Sequence, residues 1–190
     1  MLEAKISAPR SEEELRVLLR LGQAVIARGN GRAYGDSAIN PNQTIEMRRL
    51  NRMLAFDPEA GQLIAEAGVL LGDIIDTFLP RGWFLHVTPG TRFVTLGGAI
   101  AADVHGKNHH KDGSFRTSVD WIEIMNARGD VTRCSADEHA DLFDHTLGGM
   151  GLTGIITRAA IRLRPVETGW MRQSTFAAAT LEAAMGLCEA

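Results

Sequence analysis

The sequence predicts an α+β fold in two lobes. A small βαβ-like lobe spans roughly residues 1–55, and a larger lobe of mixed and antiparallel strands with flanking helices spans roughly 56–167. Two observations predict it. The chain opens with a helix start, a short apolar strand and a glycine-rich loop in direct succession, which reads as a parallel-type unit. Further along, alternating segments separated by turn residues read as hairpin-like strands.

The elements follow in order. Pro9–Glu14 is a helix start, with Ser11 as N-cap and Glu14 completing a capping box. Leu15, Leu18 and Leu19 give that helix its apolar face. Ala24–Ala27 is a short buried strand that empties into the loop Arg28–Asp36. Thr44–Met47 and Gln62–Ala67 are strand candidates, and Leu70–Leu79 is a short helix stopped by Pro80. Val119–Asn126 alternates and is rich in β-branched residues, so it reads as a strand. Arg128-Gly129-Asp130 is a hairpin turn into Val131–Cys134. Ala136–Leu147 reads as a helix, and His139 and His145 within it do not share a face. Gly154–Arg164 reads as a strand with one wet face. Thr180–Ala190 reads as an amphipathic helix with Leu181, Ala184, Met185 and Cys188 on one side. No repeat, low-complexity tract or linker interrupts this order.

The loop Arg28-Gly29-Asn30-Gly31-Arg32-Ala33-Tyr34-Gly35-Asp36 is the most informative stretch. Glycine tolerates positive φ and lets backbone N–H groups approach a ligand. Successive N–H groups in such a turn form an anion-binding concavity. No Gly-Lys-Ser/Thr follows, so this is not a Walker A loop. The spacing Gly-x-Gly-x-x-x-Gly, with Pro41 where a helix would run, is not the Rossmann fingerprint. Two readings stay open on the loop alone: a phosphate cradle, or an ordinary glycine-rich turn. For Tyr34, packing and ligand contact are equally open. Asp36 reads as a carboxylate cap on the loop.

A second segment runs from Pro89 to Arg116. Thr95 can cap a short helix that starts near Gly97-Gly98 and continues through Ala102. Its small residues would let the helix N-terminus sit close to a ligand, where free N–H groups favour an anion. A dense polar patch, His105-Gly106-Lys107-Asn108-His109-His110, follows directly.

Together these segments resemble the FAD-binding PCMH-type domain of the vanillyl-alcohol-oxidase superfamily. The likeness is closest to its decaprenylphosphoryl-β-D-ribose 2′-oxidase branch. It rests on the Arg28–Asp36 loop, the Gly90-Thr91-Arg92…Gly97-Gly98-Ala99-Ile100 segment, the His105–His110 run and the stretch Gly148–Ile156, and it covers residues 5–167. The resemblance implies FAD as cofactor. Gly29, Asn30, Gly31, Arg32, Ala33 and Tyr34 would give backbone N–H groups to its pyrophosphate, with Arg28 and Gly35 among the cofactor contacts. Gly90, Thr91, Thr95, Leu96, Gly97 and Gly98 would line its second side, with Ala102, His105, Gly106, Asn108, Gly154 and Ile156 completing the cofactor contacts. Many members carry a flavin-bonded histidine about where Arg32 stands, so a noncovalent FAD is implied. His105 and Lys107 are the implied catalytic residues, with the lysine placed to stabilise the anionic reduced flavin or to bind a sugar hydroxyl or phosphate. Residues 168–190 would begin a substrate or cap region.

The implied activity is oxidation of a sugar-type or other secondary alcohol by hydride transfer to the flavin. Alternatives are a flavin-binding module inactive without a separate substrate-binding half, or an enzyme like UDP-N-acetylenolpyruvylglucosamine reductase, against which the histidine run argues. The implied partners are a small sugar-like molecule and either a reductase or a missing C-terminal half.

Composition agrees. The 190 residues are 45% hydrophobic and 23% charged, ordinary for a globular chain. A net charge of −3 argues against nucleic-acid binding. No apolar run nears the ~18 residues that span a bilayer, and Met1–Lys5 lacks the apolar core of a signal peptide. Cys134 and Cys188 form no spaced motif and are expected reduced in a cytoplasmic setting. No metal site is expected, because the histidines lack ligand spacing with Cys or carboxylates.

Overall fold

Ser11 opens the first helix. The computed structural model describes residues 3–21 and 24–189. Helix α1 runs Glu12–Arg20; the Ser11 hydroxyl accepts the Glu14 N–H at 3.1 Å. The Glu14 carboxylate reaches back to the Arg10 N–H at 2.8 Å, one residue before the cap, so the box is offset by one. Leu15 and Leu19 are buried and Leu18 packs beside them, as the apolar stripe requires.

The small lobe holds three parallel strands, β1 (Ile6–Ser7), β2 (Ile26–Arg28) and β3 (Thr44–Glu46), in the order β1-β3-β2. Ile6 and Ile26 both register with Thr44. That register starts β2 two residues later than the apolar run suggests, and the strand delivers Arg28 straight into the glycine loop.

The second sheet already begins at β4 (Met53–Asp57), and continues with β5 (Gln62–Glu66), β6 (Trp83–Leu85), β7 (Val119–Met125), β8 (Val131–Ser135) and β9 (Ile155–Pro165). Its order is β4-β5-β9-β7-β8, antiparallel throughout, with β6 pairing the end of β9. The hub is β9. Its expected wet face is dry except at the arginines. Arg158 pairs with Glu123 at 3.3 Å, Arg162 with Asp120 at 2.9 Å and Arg164 with Asp112 at 3.5 Å, while Ile155 is covered by the small lobe.

The remaining helices are α2 (Leu71–Phe78), α3 (Leu96–Ala101), α4 (His109–Asp112), α5 (Ala140–Thr146) and α6 (Leu181–Glu189). After α2 a 3-10 turn, Leu79–Arg81, absorbs Pro80. Helix α5 starts four residues later than its pattern suggests. The Ser135 hydroxyl takes the N–H groups of Asp137 and Glu138 and holds them in a turn. His139 therefore sits before the helix, with left-handed φ of +50°, and shares no helix with His145. Ala190, the expected end of α6, lies outside the described residues.

Two apolar cores result. The larger gathers Leu63, Ile74, Ile100, Phe115 and Ile122 beneath the big sheet. The smaller joins Leu15, Leu19, Ile45 and Leu50 to Met125 and Ile155 of β7 and β9. The lobes thus share an apolar seam, reinforced by Arg16 donating to the Gly129 carbonyl at 2.9 Å. Trp170, Met171, Phe176, Leu181 and Met185 stand exposed beyond β9. Among the described residues, no helix is long and apolar enough to cross a membrane.

Candidate functional site

A cleft opens where the lobes meet. One wall is the glycine loop at the end of β2, with Gly29, Asn30, Gly31, Arg32 and Ala33. The other is α3 and its flanks, with Thr95, Gly97, Gly98, Ala101 and Ala102, and beyond them Met150, Gly151, Gly154 and Ile156. Met47, Ala67, Val94 and Val104 make the surface between apolar. The enclosed volume is about 160 Å³, below the ~300–1,000 Å³ of a closed small-molecule pocket. A long ligand would therefore lie along an open trench.

The walls meet closely because their side chains are small. A Cβ on Gly29 would stand 2.2 Å from the Thr95 hydroxyl, and one on Gly97 would stand 2.8 Å from the Ala67 Cβ. Asn30 locks the loop between the lobes. Its amide donates to the Phe93 carbonyl at 2.9 Å and its oxygen accepts from Arg48 at 2.9 Å. The Arg32 guanidinium lies 5.4 Å from the Phe93 ring centroid. Arg28 does not line the cleft; its guanidinium lies against Gly31 and donates to Ala38 O at 3.5 Å, bracing the loop. Asp36 closes the following turn with its carbonyl, which accepts the Ile39 N–H at 2.9 Å, rather than with its carboxylate.

The donors divide sharply between the two walls. Thr95 caps α3 through the Gly98 N–H at 3.2 Å, as its sequence position suggests. The expectation of free N–H groups at that end is wrong. The Leu96 N–H goes to Val69 O at 2.7 Å and the Gly97 N–H to Ala67 O at 2.8 Å. The helix start is bonded onto the end of β5 and has no donor left for an anion. In the glycine loop the reverse holds. Among the described residues, no acceptor takes the N–H groups of Asn30, Gly31, Arg32, Ala33 or Tyr34.

Other sequence-derived candidates spread out. Leu96 is fully buried in the larger core. Tyr34 is 98% exposed, so it packs against nothing. Gly35, Gly90 and Thr91 lie outside the cleft lining. The Thr91 hydroxyl accepts the Phe93 N–H at 3.3 Å and shapes its own turn. His105 follows directly on Val104, bridges to Ser114 and places its ring 5.2 Å from that of His109. His105, Lys107, His109 and His110 are all exposed. Asn108 fixes this patch from below, donating to the His86 carbonyl at 3.0 Å and to Asp112. A Cβ on Gly106 would meet Thr88 O at 2.6 Å, so the loop is pressed onto β6's continuation. Burial, then the charges of Arg164 and Arg162, hold His86 below the ordinary imidazole value. Among the described residues, no three His, Cys, Asp or Glu side chains gather as a metal site.

Residues 4–135 match a family described as FAD binding domain. The chain belongs to that family. It is 47% identical over 151 residues to the decaprenylphosphoryl-β-D-ribose oxidase of Mycolicibacterium smegmatis, covering 78% of this chain and 33% of the relative. It is 30% identical over 172 residues to the L-gulonolactone oxidase of Bos taurus, covering 88% and 38%. It is 33% identical over 161 residues to cytokinin dehydrogenase 9 of Oryza sativa subsp. japonica, covering 78% and 29%. The chain spans about a third of the length of the curated relatives it matches.

The cleft of this FAD-binding domain fits the cofactor chemically. A dinucleotide needs donors for its pyrophosphate and flat apolar surface for its rings. The N–H run at 30–33, with no acceptor among the described residues, offers the first; the Ala67, Val94, Ala101, Val104 and Ile156 surface offers the second. Most of that apolar floor was not singled out from sequence. Ala27, Met47, Ala67 and Val94 come from four separate segments, and only their small or flexible side chains hint at a cleft. Met150 and Gly151 lie in the Gly148–Ile156 stretch that carries the resemblance, but nothing local marks them as lining residues.

Proposed function

We propose that this chain is the flavin-binding part of an FAD-dependent oxidoreductase that oxidises a secondary alcohol of a sugar-like substrate. The observation that carries the reading is the run of backbone N–H groups at Asn30–Ala33, which have no acceptor among the described residues and are set across the cleft from a wall of small apolar residues. Bound FAD would supply the acceptor for the substrate's hydride. The protein's own part is position and charge. The loop N–H groups would hold the pyrophosphate, with Arg32 and Arg48 adding positive charge at the same loop. Gly97, Gly98, Gly154 and Ile156 would let the rings lie close against backbone. His105 and Lys107, exposed just past Val104, would grip a substrate oxygen or offset negative charge on the reduced cofactor. The names of the ribose oxidase and the gulonolactone oxidase support a sugar-like alcohol as substrate.

A second reading, a flavin-binding module that works only with a separate substrate-binding half or a reductase partner, is favoured by one observation. The apparatus for proton removal within the chain is thin. His105 has another histidine ring as its aromatic neighbour, and Tyr34, the one tyrosine, stands exposed. A cytoplasmic location agrees with the free Cys134 and Cys188.

Arg32 in place of a flavin-bonded histidine predicts a dissociable cofactor. FAD titrated into the protein is expected to shift the flavin visible spectrum. Acid precipitation is then expected to leave all yellow colour in the supernatant. Colour retained in the pellet would refute noncovalent binding; an unperturbed spectrum at saturating protein would refute the flavin reading.

A further inference from the structure

The far wall of the cleft hangs on one arginine. Arg116 donates through its peptide N–H and its Nε to the two carboxylate oxygens of Asp103, at 2.9 and 2.8 Å. Its Nη1 donates to Asp144 at 2.9 Å and its Nη2 to the Leu147 carbonyl at 2.9 Å. Four bonds thus tie the residue just past α3 to the last turn of α5. From Leu147 the chain turns back over the end of α3. The Gly148 N–H caps Ile100 O at 3.1 Å and the Met150 N–H caps Ala101 O at 2.8 Å. Burial works against charge on Asp103, but the hydrogen bonds from Arg116 and Ser114 together with the Arg116 charge outweigh it and hold the carboxyl below its ordinary value.

Both ends of this arrangement have left-handed backbone, and the Met150 end is strained. Asp103 has φ of +41°, which an aspartate tolerates, but Met150 has φ of +54°, a region that a long unbranched side chain rarely occupies. The neighbours of Met150 are glycines where the backbone demands them. Gly148 and Gly151 have φ of +84° and +78°, and a Cβ on Gly149 would stand 2.1 Å from His145 O. A methionine between them, 44% exposed and lining the cleft, is the exception. Such strain persists only where the surroundings over-determine it.

We propose that Arg116 is a positioning residue for the bound cofactor: it clamps the Gly148–Gly151 loop onto α3 so that Met150, held in a left-handed backbone, forms an apolar wall against the flavin. The proposal rests on the reading that FAD lies in this cleft. A thioether is polarisable and suits a ring face, but only a fixed backbone can aim it.

Hydrogen exchange and FAD titration on the 190-residue protein separate the clamp from the cofactor reading. In Arg116→Ala the amides of Gly148 and Met150 are expected to exchange about tenfold faster, with the β9 amides unchanged. FAD affinity, read by flavin fluorescence, is expected to fall about tenfold, with an altered visible circular dichroism of the bound flavin. In a Met150→Gly background, where glycine adopts the turn unaided, the same change is expected to cost less than about threefold. Arg116→Lys, which keeps the charge but not the fork, should resemble the alanine variant and serves if that variant fails to fold. Unchanged exchange at Gly148 and Met150 would overturn the clamp. Faster exchange with wild-type FAD affinity, or an equal loss in both backgrounds, would overturn the positioning role. Faster exchange in a protein whose wild type binds no FAD would leave the clamp standing and overturn the flavin reading and the positioning role built on it.

Discussion

Gly31→Val abolishes FAD binding, with an affinity loss expected at about a hundredfold or more. Gly31 has φ of +64°. A β-branched side chain is an outlier there, and its χ1 is stiff. A Cβ at this position would stand 2.5 Å from Arg28 Nη2, the far end of a flexible side chain, so that contact alone could be relieved. The backbone conformation could not be. Relaxing it would swing the N–H groups on either side of Gly31, which belong to the run with no acceptor among the described residues. Several donors would be lost to the pyrophosphate at once, and each hydrogen bond to a charged group is worth about 1.5–3 kcal/mol. The fold should survive, because residues 31–37 are exposed and the cores lie elsewhere. Isothermal titration with FAD measures the effect, and circular dichroism controls for folding. Gly31→Asn, which tolerates the left-handed region, is expected to keep most of the affinity. Near-wild-type binding by the valine variant would remove the loop from the site.

That loop was legible because its signal is local: three glycines directly after an apolar run. The caps at Ser11 and Thr95 were legible for the same reason, each being set by a side chain and an N–H three residues on. The misreadings have non-local causes. The N–H groups of Leu96 and Gly97 looked free, but Val69 and Ala67 take them from a segment far upstream. β1 and β6 are too short, at two and three residues, for any period to show. β4 hides differently: Leu54 and Ala55 are both exposed, so its residues do not alternate. Helix α5 was drawn too long because Ser135 turns the chain with its own hydroxyl. The Arg116 network joins three segments through one guanidinium, and no spacing in the chain announces it.

Phe115→Ala is expected to destabilise the protein by about 3–5 kcal/mol, the largest loss of stability foreseen for any single change here. Phe115 is fully buried in the larger core, among the largest side chains with no exposed surface. Truncation removes its transfer energy and leaves a cavity that close-packed neighbours fill poorly. Against a total of roughly 5–15 kcal/mol for a native domain, such a loss removes a large share. The melting temperature should fall by about 6–20 °C, at roughly 2–4 °C per kcal/mol for a chain of this size. Phe115→Leu, which keeps most of the apolar volume, should cost far less. Position adds to the effect. The Phe115 N–H donates to Val104 O at 2.8 Å, the preceding Ser114 bridges His105, and the following Arg116 clamps Asp103. The ring is thus the apolar pin beneath both the histidine patch and the cleft's far wall. Differential scanning calorimetry decides the matter. A shift of less than about 2 °C would mean that the core closes over the gap, and the patch above it would then need another support.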